Sequence, residues 1–274
     1  MARIPIIVAA LMLVLLGSAE AQIWPNRVVH LIVPYPPGGN ADVVGRVIAR
    51  ALQSELGQPF LIENKVGAGG LIGADTVAKS PPDGYTFLLS ANGPILYAPE
   101  LADRKPYDWR RDFAPVGTIS LTSLVLLVHP DVPVTTLPEF FDYAKREGAK
   151  LTFGAGGTGT SNHLFSELIQ AQLGLKWTTV HYKGTAPAMN DLIGGHVQFS
   201  IDQLSTSLPL IKDGRVRALA VSGSKRVQWL PDVPTFIELG YKNLEGYTFT
   251  AVVAPAGTPH DIIVKFSQAL SKNV

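Results

Sequence analysis

Residues 153–163 combine glycines, hydroxyl groups and the start of a helix in a pattern typical of an anion site. Glycines let the main chain approach a ligand and adopt positive φ angles, while the free N–H groups and dipole of a first helical turn favour negative charge. The candidate ligand-binding residues here are Gly157, Thr158, Gly159, Thr160 and Ser161, with His163 in the first helical turn. The function depends on which anion this loop binds.

A nucleotide is the first candidate, because Gly154, Gly156 and Gly159 match the dinucleotide fingerprint G-x-G-x-x-G. That match is a weak signal by itself. The related phosphate-loop motif is not met, because Thr160 stands where that motif requires lysine.

The N-terminus argues against a nucleotide. Arg3 precedes an apolar run at residues 4–16, and small residues lead to Ala21, as in secretory signal peptides. We therefore expect residues 1–21 to be a signal peptide and the mature protein to be periplasmic, in a compartment where NAD and ATP are not expected. The anion should be a different one.

The composition predicts a soluble protein stabilised by its core. The 274 residues are 46% hydrophobic and 16% charged, with 23 basic and 22 acidic residues and no cysteine. The near-zero net charge without a basic run indicates neither nucleic acid nor an anionic membrane as partner. The absence of cysteine excludes disulfides, thiolate catalysis and a lipidated cysteine anchor. We expect a periplasmic monomer without direct membrane insertion, cofactor or bound metal.

The sequence contains no strong motif for catalysis. The sequence contains no G-x-S-x-G elbow and no H-E-x-x-H, and its six histidines lack metal-ligand spacing. We expect no enzymatic activity. Ser161, His181 and Asp202 could still assemble in space as a periplasmic ester hydrolase, which remains an alternative.

The elements that position these loops occur twice in the same order. In the first half, the pattern predicts strands at 28–33, 60–63 and 85–89 and loops at 34–40 and 67–70. It also predicts a helix at 41–56 and a short helix that follows the second loop and ends at 77. The second half predicts strands at 151–153, 178–182 and 197–201, and helices at 161–173 and 187–193. Gly57 and Gly174 are placed to end the two long helices. This repetition predicts two similar α/β lobes.

The two long helices each show an apolar face. The predicted faces are Val44, Val47, Ile48, Ala51 and Leu52 in the first, and Leu164, Phe165, Leu168 and Ile169 in the second. Strand–helix–strand connections of this length make parallel sheets whose loops leave from one edge. If the two edges face each other, the loops of both lobes line one cleft. Two crossings, near 117–122 and 245–250, would connect the lobes, as in hinged solute receptors.

The cleft edge supplies further candidates. In the first lobe these are Tyr35, Pro37, Gly38, Gly39, Asn40, Asp42, Ala68, Gly69 and Asn92. In the second lobe they are Tyr182, Lys183, Gly184, Asp202 and Gln203. Structural roles are open alternatives: the loop glycines, including residues 67–70, could serve only tight turns, Asp42 could neutralise its own helix N-terminus, His163 could be a structural hydrogen-bonder, and Lys183 could be solvated. No arginine lies in the loops, so main-chain N–H groups and hydroxyls should carry the binding.

Sequence blocks along nearly the whole mature chain resemble those of the Bug-type receptors, the periplasmic solute-binding proteins of tripartite tricarboxylate transporters. The blocks are residues 31–39 with Asp42, 63–70, 82–86, 112–116, 182–184, 217–221, 230–235 and 254–259. The resemblance implies a two-lobed periplasmic-binding-protein fold of type II-like topology, without catalysis. It also implies a small carboxylate ligand, held between the loop at 35–40 and the loop at 157–161, that is handed to membrane transporter subunits. A sensor for a signalling partner is the alternative.

The expected domains follow from these patterns. Lobe one should comprise residues 22–118 and 248–274, and lobe two residues 119–247. Receptors of this type usually continue beyond the block at 254–259, whereas this chain stops at Val274 in a helical pattern. It is therefore expected to be either a fragment or a shortened member, with lobe one the affected part. The ligand is left open among mono- and dicarboxylates, aliphatic or aromatic.

Overall fold

The computed structural model describes residues 24–274. The predicted signal peptide at 1–21 lies outside the described residues. The strands are β1 (Val29–Val33), β2 (Phe60–Asn64), β3 (Thr86–Ala91), β4 (Phe113–Val128), β5 (Thr152–Ala155), β6 (Thr178–His181), β7 (Phe199–Gln203), β8 (Arg217–Val221) and β9 (Tyr247–Pro255). The predicted strands lie within two residues of these bounds.

Helices flank the strands. They are α1 (Asn40–Leu56), α2 (Leu71–Ala78), α3 (Ala98–Leu101), α4 (Trp109–Asp112), α5 (Leu137–Glu147), α6 (Ser161–Leu173), α7 (Thr185–Ile193), α8 (Leu204–Lys212) and α9 (His260–Ser271). Short 3₁₀ turns occupy Ala68–Gly70 and Gly148–Lys150, and a single π turn occupies Gly93–Tyr97. The helix predicted at 161–173 is confirmed with both ends, and Gly57 and Gly174 end α1 and α6 in the left-handed conformation.

The predicted two-lobed α/β fold is confirmed. In lobe one the strand order is β2-β1-β3-β9-β4, and in lobe two β6-β5-β7-β4 with β8 also paired to β4. The first three strands of each lobe run parallel, and the strands nearest the lobe junction pair antiparallel. The two lobes thus share one plan, as the internal repetition predicted.

Strand β4 belongs to both lobes. Its segment from Phe113 to Ser123 pairs with β9, and its segment from Leu124 to Val128 pairs with β7 and β8. The change of sheet therefore falls between Ser123 and Leu124, one residue beyond the crossing expected at 117–122. The return crossing ends where β9 begins at Tyr247, inside the expected range.

The packing face of α1 differs from the predicted one. The helix buries Ala41, Gly45, Ile48, Ala49 and Leu52, whereas Val47 is 62% exposed. Gly45 explains the difference, because a Cβ at this position would lie 3.2–3.3 Å from Ile62 and Leu89. The helix therefore approaches the sheet along its small residues, and the bulky Val47 turns to solvent. In α6, Phe165 and Ile169 are buried as predicted, but Leu168 is exposed.

Each lobe has apolar cores on both faces of its sheet. In lobe one, α1 and α9 cover the face that carries Leu31 and Phe87, and Phe266 of α9 is fully buried there. In lobe two, α5 and α6 cover the face that carries Phe153 and Phe199. Helix α5 begins with a capping box between Thr136 and Glu139. These cores leave the strand ends and first helical turns free to face the other lobe.

Candidate functional site

A cavity of about 30 Å³ lies where the loop edges of the two lobes meet. We call it the interlobe cavity, and its lining residues are Tyr35, Gly39, Asn40, Ala41, Ala91, Gly156, Thr160, Ser161, Asn162, Thr185 and Gln203. Its volume suits a small group such as one or two waters or a carboxylate.

The first turns of four helices converge on the interlobe cavity. Asn40 and Ala41 begin α1, Ser161 and Asn162 begin α6, and Thr185 begins α7. Gln203 is the N-cap residue of α8. Within the described chain, no side chain caps the N-terminus of any of these four helices. Their first-turn N–H groups therefore remain available to a ligand.

The electrostatics of the cavity favour an anion. Helix N-termini carry partial positive charge, and each stabilises a nearby negative charge by about 0.3–1 kcal/mol, or by about 2 kcal/mol when partly buried. Several such ends facing one space repel each other unless a negative group lies between them. Among the described residues, no arginine, lysine or histidine lines this cavity. An anion here would be held by main-chain dipoles and hydroxyls, as the sequence predicted.

Two polar side chains, Gln203 and Tyr35, line the cavity. Gln203 is 6% exposed, and its Oε1 has no hydrogen-bond partner among the described residues. A buried amide without a partner is costly, so a ligand or water group is expected to satisfy it. Burial raises the pKa of the Tyr35 phenol above its ordinary value, although a hydrogen bond with Ser90 opposes the rise. Tyr35 therefore stays a neutral hydroxyl.

Two pairs of side chains join the lobes beside the cavity. Ser161 of lobe two donates to Asn92 Oδ1 of lobe one at 2.6 Å, and Asn92 Oδ1 also accepts from Thr248 at 2.7 Å. Ser205 of lobe two donates to Asn40 Oδ1 of lobe one. These bonds exist only while the lobes are together, so they stabilise the closed arrangement.

Asp42 holds the loop that precedes α1. It is 3% exposed, accepts from the Gly38 N–H at 3.0 Å, and pairs with Arg46 and Asn64. Burial alone would raise its pKa, but the hydrogen bonds from Arg46, Gly38 and Asn64 and the Arg46 charge hold that pKa below its ordinary value. The geometry supports the structural interpretation of Asp42, because its carboxylate is already fully used.

Three predicted glycines lie against the opposite lobe and do not line the cavity. A Cβ at Gly69 would lie 2.1 Å from the Thr158 carbonyl oxygen, and one at Gly159 would lie 2.9 Å from Ala98 Cα. At Gly184 it would lie 2.4 Å from Cδ of Pro36. The glycine loops therefore permit close contact between the lobes.

The remaining predicted residues lie around these contacts. Gly157 has φ +122° and faces the Tyr182 carbonyl and Gly69, and Ala68 has φ +48° in the adjoining turn. His163 accepts from the Gly159 N–H at 3.3 Å and packs its ring on His181. The Tyr182 hydroxyl donates to Asp191. Lys183 is exposed. Of the predicted set, the structure brings Tyr35, Gly39, Asn40, Thr160, Ser161 and Gln203 together around the cavity.

A second pocket of about 360 Å³, the outer pocket, lies on the other side of Thr185. It includes the predicted residues Pro37, Gly38 and Asp202, together with Arg215. Asp202 is fully buried, accepts from Thr206 at 2.6 Å, and leaves Oδ1 without a partner among the described residues. Burial raises the pKa of Asp202 to about 6, and the hydrogen bond from Thr206 and the nearby Gln203 N–H and Thr185 oppose the rise.

Five cavity residues are absent from the predicted ligand-binding residues, although Gly156 lies in the predicted anion loop: Ala41, Ala91, Gly156, Asn162 and Thr185. Ala41 and Asn162 are second residues of their helices, and Thr185 is a first residue, so their positions beside helix starts were a usable signal. Ala91 ends β3 and carries no side-chain signal. Its place follows only from the lobe geometry.

The hydrolase constellation does not form. Ser161 donates to Asn92, His181 packs on His163, and Asp202 pairs with Thr206. Between residues 24 and 274, no group of three histidine, aspartate or glutamate side chains is arranged to hold a metal. No helix in the described part of the chain is long and apolar enough to cross a membrane.

Two α/β lobes that share β4 and meet around a helix-lined cavity have the architecture of a solute-binding receptor. The chain belongs to the family described as Tripartite tricarboxylate transporter family receptor, which matches residues 44–274. Members of this family are periplasmic receptors and not enzymes.

Individual relatives agree with this assignment. The chain is 38% identical to Protein BugT of Bordetella pertussis over 257 residues, which cover 93% of this chain and 79% of BugT. The solved structure of R. palustris Rpa4515 with adipate has a TM-score of 0.88 at 37% identity, and covers 90% of this chain and 83% of that chain. MatC (Rpa3494) from Rhodopseudomonas palustris with bound malate has a TM-score of 0.88 at 33% identity, with 91% and 85% covered.

Proposed function

We propose that this protein is a periplasmic receptor that binds a small carboxylate between its lobes and delivers it to a tripartite membrane transporter. The observation that carries the proposal is the interlobe cavity, where the N-terminal ends of four uncapped helices meet and where none of the described lining residues is cationic. Adipate in Rpa4515 and malate in MatC support a carboxylate as the anion.

The ligand carboxylate would accept from first-turn N–H groups of α1 in lobe one and α6 in lobe two. The Thr160 hydroxyl already donates to the Gly157 carbonyl and the Ser161 hydroxyl to Asn92, so either could donate to the anion only after it releases that partner. Charge-assisted hydrogen bonds of this kind contribute about 1.5–3 kcal/mol each. Because donors come from both lobes, the anion binds the closed form more tightly than the open form, and binding drives closure.

Isothermal titration tests the carboxylate. The purified protein, at pH 8, is titrated with acetate, hexanoate, benzoate, malate and adipate, and with hexan-1-ol as an uncharged control. We expect at least one acid to bind with a micromolar Kd or tighter and the alcohol not to bind. Absence of heat with every acid, in protein that remains folded by circular dichroism, would contradict the proposal.

Location and delivery are tested in cells. We propose that residues 1–21 act as the export signal, so the mature protein should appear in a periplasmic extract with Gln22 as its N-terminus. Deletion of the receptor gene should abolish uptake of the radiolabelled acid identified by titration. Uptake at the wild-type rate without the receptor would exclude the transport role.

A further inference from the structure

The amide of Asn92, which follows β3, has a hydrogen-bond partner for each of its polar groups. Its Oδ1 accepts from Ser161 at 2.6 Å and from Thr248 at 2.7 Å. Its Nδ2 donates to the Tyr97 hydroxyl at 3.3 Å and to the Tyr247 carbonyl at 3.4 Å. An asparagine amide has two acceptor lone pairs and two N–H donors, so all four are used. We call these five residues the Asn92 latch.

The Asn92 latch joins the lobes through the bond from Ser161. Ser161 begins α6 in lobe two, whereas Thr248 and Tyr247 lie on β9 in lobe one. The bonds within lobe one fix the orientation of the Asn92 amide, so that Oδ1 faces lobe two. Asn92, Ser161 and Thr248 are all buried, and their mutual hydrogen bonds offset the cost of removing them from water.

The latch is complete without a ligand. Asn92 lies outside the lining of the interlobe cavity, and its amide has no group left to offer to a ligand. The cavity itself is different. There Gln203 Oε1 has no partner among the described residues, and the positive ends of several helices face one space. Closing the lobes without an anion is therefore favourable at the latch and unfavourable at the cavity.

We infer that the Asn92 latch stabilises the closed form independently of ligand, so that the ligand-free protein exchanges between open and closed forms. A ligand then binds most tightly to a form that already exists. The apparent affinity scales with the closed fraction, so Asn92 acts on binding through the lobes and is a positioning residue. The inference concerns the lobes alone and does not depend on which anion the cavity binds.

Asn40 makes a similar, weaker contact. Its Oδ1 accepts from Ser205 of lobe two, and its Nδ2 donates to Thr250 of β9 at 3.0 Å. Ser205 is exposed, so water competes for this bond and it contributes less than the buried bond of Ser161.

Double electron–electron resonance measures the distance between the lobes without any ligand. Because the chain has no cysteine, Gln53→Cys and Lys176→Cys place one nitroxide label at an exposed position of each lobe. The protein is first refolded from urea, so that no ligand from the host cell remains bound. We expect two populations, one at the distance of this structure and one at the distance of the open form. Gly69→Ala, whose Cβ would meet the Thr158 carbonyl oxygen, marks the open form. An open population alone in the native protein would overturn the inference.

Variants assign the closed population to the latch. Asn92→Ala and Ser161→Ala each delete the interlobe bond, and each should lower the closed-to-open ratio by about threefold or more. The double variant should fall no further, because both changes remove the same bond. The matched control is Ser166→Ala, a buried serine on α6 that accepts from Trp177 Nε1 at 3.0 Å within lobe two. It should leave the ratio unchanged. An unchanged ratio in Asn92→Ala and Ser161→Ala, or an equal fall in Ser166→Ala, would overturn the role of the latch.

Binding distinguishes this inference from the proposed function. Asn92→Ala should weaken every acid that binds by the same factor, because the latch touches no ligand atom. A loss confined to some acids would show that Asn92 contacts the ligand. If no acid binds the native protein, the proposed function fails, and the ligand-free distance measurement still decides the role of the latch.

Discussion

The Cα of Gly69 in lobe one lies directly against the carbonyl oxygen of Thr158 in lobe two. A methyl group built on Gly69 would come within 2.1 Å of that oxygen, a distance that no real contact tolerates. The Gly69 Cα and the Thr158 carbonyl oxygen both belong to the main chain, so neither can move away by rotating a side chain. The closed form therefore requires glycine at position 69.

Gly69→Ala should block closure. We expect at least a tenfold loss of affinity for the bound acid, because the donors of the two lobes can no longer surround one carboxylate. Small-angle scattering should show that the variant keeps its larger radius of gyration when acid is added, while the native protein contracts.

Gly57→Ala is the matched control for that variant. Both glycines have left-handed φ angles, +64° and +74°, so alanine strains both by a similar amount, about 1–2 kcal/mol. A Cβ at Gly57 would meet no atom within 4 Å. Loss of affinity in both variants would show that backbone strain, and not the Thr158 contact, is responsible.

Gly39→Val should fill the interlobe cavity. Gly39 has φ −77°, which valine tolerates, and its Cβ would lie 3.6 Å from the Thr185 hydroxyl. The added methyl groups enter a space of about 30 Å³, so affinity should fall at least tenfold. Unfolding free energy should fall by about 1 kcal/mol, because valine is a poor N-cap residue. Normal binding by this variant would place the anion elsewhere.

Asp42→Asn should loosen the loop at residues 34–40. The amide cannot accept from Gly38, Arg46 and Asn64 together, so unfolding free energy at pH 7 should fall by about 1–3 kcal/mol. The pKa of Asp42 is lowered by folding, so its stabilisation is present above pH 4 and is lost at lower pH. Urea denaturation should show the two proteins converging toward pH 3. Asp75→Asn, which changes an i,i+4 pair with Lys79, should have a smaller effect.

Asp202→Asn should raise the free energy of unfolding at neutral pH, whereas Asp42→Asn should lower it. The pKa of Asp202 rises from 3.8 to about 6 on folding, so the folded state binds the extra proton between these values. Stability therefore decreases as pH rises from about 4 to 6, and remains lower above 6. The variant should be more stable than the native protein by about 2–3 kcal/mol at pH 8, with no difference at pH 4. Equal urea midpoints at pH 8 would show that folding does not raise the pKa of Asp202.

Much of the fold is readable from the sequence because it depends on local patterns. The period of apolar residues located α6, and left-handed glycines marked the ends of both long helices. Val47 was misplaced because helical period alone does not show that the sheet approaches α1 at Gly45, where a Cβ would crowd Ile62 and Leu89.

The candidate site was readable only in part. Residues at helix starts, such as Asn40 and Ser161, were found because the chemistry of an N-terminus is a property of the local chain. The sequence allowed the loop glycines to be ligand contacts or tight-turn residues. The contacts of Gly69 and Gly159 join segments that are far apart in the chain, so the sequence did not show that these glycines lie against the other lobe. Ala91 lines the cavity with a methyl side chain, and nothing in its chemistry marks it as a cavity residue in the sequence.

Strand β9 follows all of lobe two in the chain, yet it lies in the middle of the lobe-one sheet, between β3 and β4. Leu88 cannot pair with Val253 until lobe two has been made. During synthesis, β3 therefore presents an unpaired edge, a site prone to aggregation, for the whole time that lobe two emerges. We expect lobe two to complete its sheet first during refolding, and lobe one to become resistant to proteolysis only when β9 inserts.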